Sequence, residues 1–236
     1  MTPFLKIVAQ DLFAHFKGNF ERVSVVFPNK RASLFFERHL SELIKEQIWA
    51  PNYHSLDDIF SHLSNKTVAD PILSVCLLYK AHCRIASYKD SLSHFYGWGE
   101  VMLNDFNDID NNMALADKIF SNVKDLEDLK ATGYFSDNQL EAIQSYFKNY
   151  NPEAQSELKK KFQDIWSTLY PTYLEFRNML AQQGLAYAGM QKREVIEMLE
   201  CCTEENLPEW LKGRTFVFVG FNVLNTTERR LFLLLR

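Results

Sequence analysis

The first apolar positions recur at helical spacing: Phe4, Leu5, Val8, Leu12, Phe13 and Phe16. Thr2 and Pro3 stand where an N-cap and a first helical residue belong, and Gly18 supplies the stop. The pattern then changes. Val23 to Phe27 is an unbroken β-branched and aromatic run, as expected of a strand covered on both faces. Pro28 ends it, because proline has no N–H to give to a sheet ladder. Helical spacing resumes over 31–46, with Phe35, Phe36, Leu40, Leu43 and Ile44 as the inner face. Residues 48–53 form a weaker strand candidate, interrupted by Pro51. Ser55-Leu-Asp-Asp58 has the form of a capping box and predicts a helix over 56–64. Helices alternating with strands imply a parallel sheet, since parallel neighbours need a crossover.

From residue 70 to 202 the spacing is helical throughout. Asp70-Pro71 opens a helix carrying Ile72, Leu73, Cys76, Leu77, Tyr79 and Ile85. Residues 91–121 are aromatic and acidic. Ser136 and Gln139 cap a helix over 137–149. The longest periodic stretch is 153–183, with Leu158, Phe162, Ile165, Trp166, Leu169, Tyr173, Phe176 and Leu180 on one face. Pro171 predicts a kink or break inside it, and Gly184 closes it. One more helix covers 190–201. The strand signal returns at Thr215–Val219, read as buried. A turn over Gly220–Asn225 follows, then a helix from Thr226 that Asn225 and Glu228 cap. The fold class is therefore α/β, a parallel sheet interrupted by a large all-helical insertion. Residues 1–68 are its first part, 69–210 the insertion and 211–236 the return. The last helix stops at Arg236 inside an apolar run without a C-cap, which reads as an N-terminal fragment of a longer protein.

The 236 residues are 47% hydrophobic and 24% charged, a globular balance. No apolar run reaches the roughly 18 residues of a membrane span, and the first twenty residues are too polar for a signal peptide, so the expected location is cytoplasmic. Net charge is −4, so a nucleic acid could be met only by a local patch. Residues 100–141 carry ten acids against three lysines and should avoid a DNA backbone; residues 1–50 carry seven cations against five acids. Cys76 and Cys83 lie two helical turns apart, too far for a disulfide, and Cys201 and Cys202 are adjacent; all four read as buried structural thiols.

The stretch with most chemical content is Asn29-Lys30-Arg31. It sits between a strand's carboxyl end and a helix's amino end, where open α/β sheets bind ligands and where free N–H groups and the helix dipole favour an anion. Two cations there suggest a phosphate; the same residues also read as solvated helix-start cations. Other chemistries lack their residues. There is no G-x-x-x-x-G-K-S/T loop to wrap a triphosphate, and Val219 stands where a magnesium-binding acid would end the last strand. A calcium loop beginning at Asp108 would need Gly at 113 and Glu at 119, where Met113 and Ile119 stand, so the acids from Asp105 to Asp110 read as a helix face. No G-x-S-x-G elbow is present, and His54 beside Ser55 is accounted for by capping. Tyr96 and Trp98 could stack on bases but read as core packing at helical spacing. No catalytic residue, metal site or cofactor is expected.

Three segments, in this order, resemble the start of the AddB-like helicase–exonuclease proteins of Bacteroidetes. Val26-Phe-Pro-Asn-Lys-Arg31, with the helix through Phe35 and Phe36, looks like a helicase motif that touches single-stranded DNA backbone. Trp98-Gly-Glu100 with Asp105-Phe-Asn-Asp-Ile-Asp110 looks like the helical insertion of the first helicase domain. Phe218-Val-Gly-Phe-Asn222 with Thr227-Glu228 looks like the strand and helix that hold Walker B in active relatives. The resemblance implies a degenerate P-loop helicase sheet unable to hydrolyse ATP, in a parent that carries a C-terminal PD-(D/E)XK exonuclease domain. It implies a role in DNA double-strand break repair, with Asn29, Lys30 and Arg31 binding single-stranded DNA or a duplex end. The implied partners are a helicase–nuclease subunit and the remainder of the chain. The alternative is a protein-interaction scaffold for a motor or nuclease partner without DNA contact, favoured by the acidic insertion. A nucleotide- or small-molecule-binding enzyme would need convergent polar groups in a pocket at 28–31 and 220–225.

Overall fold

The computed structural model describes residues 2–86, 91–121, 152–203 and 205–236, the side chains of residue 121 and of 152–166 excepted. It divides into two compact units. Unit 1 comprises Met1–Thr67 and Gln191–Arg236, and unit 2 comprises Val68–Met190. Residues 191–210, placed in the insertion from sequence, thus group with unit 1. The predicted helix at 137–149 lies outside the described residues.

Unit 1 is built on a three-stranded parallel sheet. β1 (Val23–Phe27) is central, with β2 (Asn52–Ser55) on one side and β5 (Thr215–Phe218) on the other; the short strands β3 (Thr67–Val68) and β4 (Leu185–Ala186) lie outside this sheet. Val25 pairs with Tyr53 and with Val217. All five residues of β1 are buried, as its apolar run requires. The β2 candidate is corrected from 48–53 to Asn52–Ser55: Pro51 cannot donate to the ladder, so pairing starts after it, and Trp49 is left exposed. β5 is corrected from buried to partly exposed, because it is an edge strand; Val219 just beyond it is buried.

Helices α1 (Phe4–Phe16) and α2 (Lys30–Ser41) pack on β1 through Ala9, Leu12, Phe36 and Leu40. The N-cap of α1 is Pro3 rather than Thr2, with no side-chain bond, and the chain leaves through Lys17 in the left-handed region. α2 ends at Ser41 rather than 46, where Leu43 and Ile44 donate to carbonyls three residues back and tighten the turn. Phe35 is exposed, contrary to expectation: Phe36 and Leu40 share the inner face at i, i+4, and Phe35 points about 100° away from it. Unit 1 also holds α3 (Leu56–Leu63), most of α8 (Ala188–Glu200) and α9 (Thr226–Leu234).

Unit 2 contains α4 (Pro71–Ile85), α5 (Leu92–Asn111), α6 (Ala116–Ser121) and α7 (Pro152–Ala181). Asp70 caps α4 through the N–H groups of Ile72 and Leu73. Ile72, Leu73 and Ile85 are exposed, while Leu77 is buried together with Val75, Leu78, Ala81 and His82. The helix α7 continues through Pro171, so of the kink or break expected there the break does not occur. The core joins Leu78, Phe95, Met102, Phe106, Tyr173, Phe176 and Leu180. Trp98 is largely exposed, which corrects its reading as core.

The reading of the cysteines as buried is corrected as well. All four are free; Cys201 is exposed, and Cys76, Cys83 and Cys202 are half-buried. Among the described residues no helix is long and apolar enough to cross a membrane.

Candidate nucleic-acid interface

Each strand of the unit 1 sheet runs into the amino end of a helix, so three helix N-termini follow its carboxyl ends. They are finished differently. After β2, Ser55 Oγ accepts the Asp58 N–H, and the Ser55 N–H and hydroxyl donate to Asp58 Oδ2 at 2.9 and 2.8 Å. This is the capping box expected from sequence. After β5 the arrangement repeats. Asn225 Oδ1 accepts the Glu228 N–H at 2.9 Å, and the Asn225 N–H donates to Glu228 Oε2 at 3.2 Å. Both helices therefore carry their own carboxylate where an external anion would bind.

The helix after β1 has no acid in its first turn. Asn29, in extended backbone, uses its Oδ1 to accept the Ala32 N–H at 3.0 Å. The side-chain amide of Asn29 also carries N–H donors. Arg31 is exposed and makes no ion pair among the described residues. Lys30 is different. Its Nζ lies 3.1 Å from Asp58 Oδ1, with the lysine side chain 77% exposed and the aspartate 29%. Burial pushes the Asp58 carboxyl up, but the Ser55 N–H and hydroxyl and the Lys30 ammonium more than offset that, and its pKa lies below the usual carboxylate value.

A second lysine links two further acids. Lys192 Nζ is 3.0 Å from Asp57 Oδ1 and 3.4 Å from Glu228 Oε1, and it lies 5.5 Å from the centre of the Phe60 ring. Its side chain is largely buried. Among these six groups the charges cancel, with Lys30, Arg31 and Lys192 counted against Asp57, Asp58 and Glu228. Long-range steering of a polyanion by them is therefore weak, and attraction must be local to Arg31 and the α2 amino end.

At the end of β5, Val219 is buried and donates its N–H to the Val26 carbonyl at 2.9 Å. A cavity of about 310 Å³ in unit 1 is lined by Leu63, Lys66, Glu194, Val195 and Met198 among others, and by none of residues 28–31 or 220–225. Among the described residues no group of three or more His, Cys, Asp or Glu could hold a metal ion. The acids from Asp105 to Asp110 lie on α5; Asp105 and Asp108 are exposed, but Asp110 is buried, which corrects its reading as part of an acidic helix face. Sequence reasoning located the Asn29–Arg31 turn and both capping boxes. It missed the Asp58 tie to Lys30 and the bridging role of Lys192. The first needed β2 to be known as the neighbour of β1, and the second joins side chains far apart in sequence.

No protein-family model and no curated protein matches this sequence.

Proposed function

We propose that this chain is a non-hydrolysing, helicase-like α/β domain that binds and guides DNA strands during double-strand break processing. The observation that carries the reading is the α2 amino end. It follows the central strand of a parallel sheet, lacks an internal carboxylate, and presents exposed Arg31 beside the Asn29 amide. The resemblance to AddB-like helicase–exonuclease proteins supports the same assignment, with a degenerate P-loop helicase sheet and the intervening helices as its insertion. Val219 at the end of β5 offers no oxygen to a magnesium ion. Phosphate contacts at this turn fix position without reading sequence. A nuclease and a partner subunit belong to the proposal through the resemblance alone.

A second reading has its own observation. Unit 1 exposes Phe4 and Ile7 on α1, Leu34 and Phe35 on α2, and Val223 in the loop after β5, the last 89% exposed. Exposed apolar side chains favour a scaffold that docks a protein partner. Binding of single-stranded DNA across a salt series, beside a Lys30→Ala/Arg31→Ala variant, separates the two. The DNA reading expects affinity that falls with salt and a shallower slope in the variant. A folded protein that binds no DNA at low salt moves the assignment to the scaffold.

A further inference from the structure

We infer that Asp58 is an internal competitor for the DNA backbone: it holds Lys30 in reserve, and a phosphate must displace it to engage that lysine. The inference rests on the DNA reading above. Its basis is the way the Asp58 carboxylate is used. One oxygen, Oδ2, takes the N–H and hydroxyl of Ser55, and the other, Oδ1, takes the Lys30 ammonium. A helix N-cap N–H, a hydroxyl and a lysine are also the donors that would surround a phosphate at such a turn. Asp58 thus fills an anion position from within the chain.

The two halves of the contact differ in how easily they let go. The bonds to Ser55 are local, set within one turn of α3, and need not break. The bond to Lys30 joins two helix starts through a long, mostly exposed side chain, the kind of ion pair that contributes little and is screened by salt. Lys30 can therefore swing from Asp58 to a phosphate without disturbing the cap. Lys192 has no such freedom: it is mostly buried, holds two carboxylates and lies near the Phe60 ring. The strand contact would then have a standing part, Arg31, and a conditional part, Lys30.

The test is binding of a fluorescent thymidine homo-oligonucleotide over a salt series by wild type, Asp58→Asn, Lys30→Gln, Arg31→Gln and the Asp58→Asn/Lys30→Gln double variant. Asparagine keeps an oxygen for the Ser55 N–H and removes the charge. Asp58→Asn should tighten binding about threefold and steepen the salt slope by about 0.7, the value for one more phosphate contact on a single strand. The gain should vanish in the double variant. In the wild-type background Lys30→Gln should cost less than Arg31→Gln, a comparison that does not depend on how Asp58→Asn folds. Wild type that binds through Arg31 but is unchanged by Asp58→Asn overturns the competitor and leaves the DNA reading standing. A gain that persists in the double variant shows general repulsion and also overturns it. Equal losses from Lys30→Gln and Arg31→Gln do the same. No binding by any variant at low salt overturns the DNA reading and the competitor with it.

Discussion

Two aspartates show how the units use the same side chain. In unit 2 the Asp110 carboxylate is fully buried and is held by Arg177, by the Tyr173 hydroxyl at 2.7 Å and by the Tyr187 hydroxyl. In unit 1 the Asp58 carboxylate sits at the edge of a sheet, held by Ser55 and by a lysine that is mostly in water. Burial decides what each can do. Removing Asp110 takes the shared acceptor from a guanidinium and two hydroxyls in a mostly buried group, so breaking that group is costly. Burial, and then the charge of Asp110, push the Tyr187 hydroxyl well above its ordinary pKa, which keeps it a donor. Asp58 holds Lys30 only as firmly as an exposed ion pair can. Unit 2 spends its charge on fixing helices, and unit 1 keeps some of its charge exchangeable.

The largest effect that can break this contrast is Asp110→Ala. It should destabilise unit 2 by about 3–5 kcal/mol, because a buried carboxylate that joins Arg177, Tyr173 and Tyr187 is lost. Denaturant unfolding measures it, and a loss near that of a surface charge would erase the distinction. Next is Gly189→Ala. A Cβ there would overlap the Asn107 backbone oxygen, while the Gly189 N–H already donates to Asn107 Oδ1 at 2.7 Å. The backbone must shift, at a cost of about 1–3 kcal/mol in the same assay. Smaller again is Asn225→Ala, which removes one capping box and should cost about 1 kcal/mol. A much larger loss would mean that the caps in unit 1 hold more than their own helices.

The smallest effect is on pH. His54 on β2 packs against His62 and Trp210, with the charges of Asp58 and Arg214 also acting on it. Burial first, then His62, hold its pKa below the ordinary 6.5; Asp58 opposes this and Arg214 adds to it. A depressed histidine is protonated more readily in the unfolded chain. Stability should therefore be full above pH 6.5 and decline as the pH falls through 6.5 toward the folded value. His54→Phe should flatten that decline. Trp210 fluorescence, which reports the ring stacked on His62, gives the unfolding midpoint at each pH.

The elements written in local sequence were legible. β1, the Asn29 start of α2, the Ser55–Asp58 and Asn225–Glu228 boxes, and the Asp70 cap all use residues within four of one another. What failed was decided by neighbours distant in the chain. Phe35 and Trp98 lie on helical faces that the packing leaves open, and the exposure of β5 follows from its place at the sheet edge. Asp110 read as one acid of a helix face, because nothing near it announces Tyr173, Arg177 and Tyr187 some 60 to 80 positions on. Lys192 was silent for the same reason, since its partners Asp57 and Glu228 lie far away on either side. The turn at Asn29 could be found, but its electrostatic balance could not.

The most direct test of the account follows the backbone amides by NMR as a thymidine homo-oligonucleotide is added at low salt. The largest shifts are expected at Asn29, Lys30, Arg31 and Ala32, with smaller ones at Ser55 and Asp58 as Lys30 leaves the aspartate, and little change along the rest of α3 or at the start of α9, whose anion position is already filled by Glu228. Shifts centred on those two helices, or on unit 2, would contradict the account.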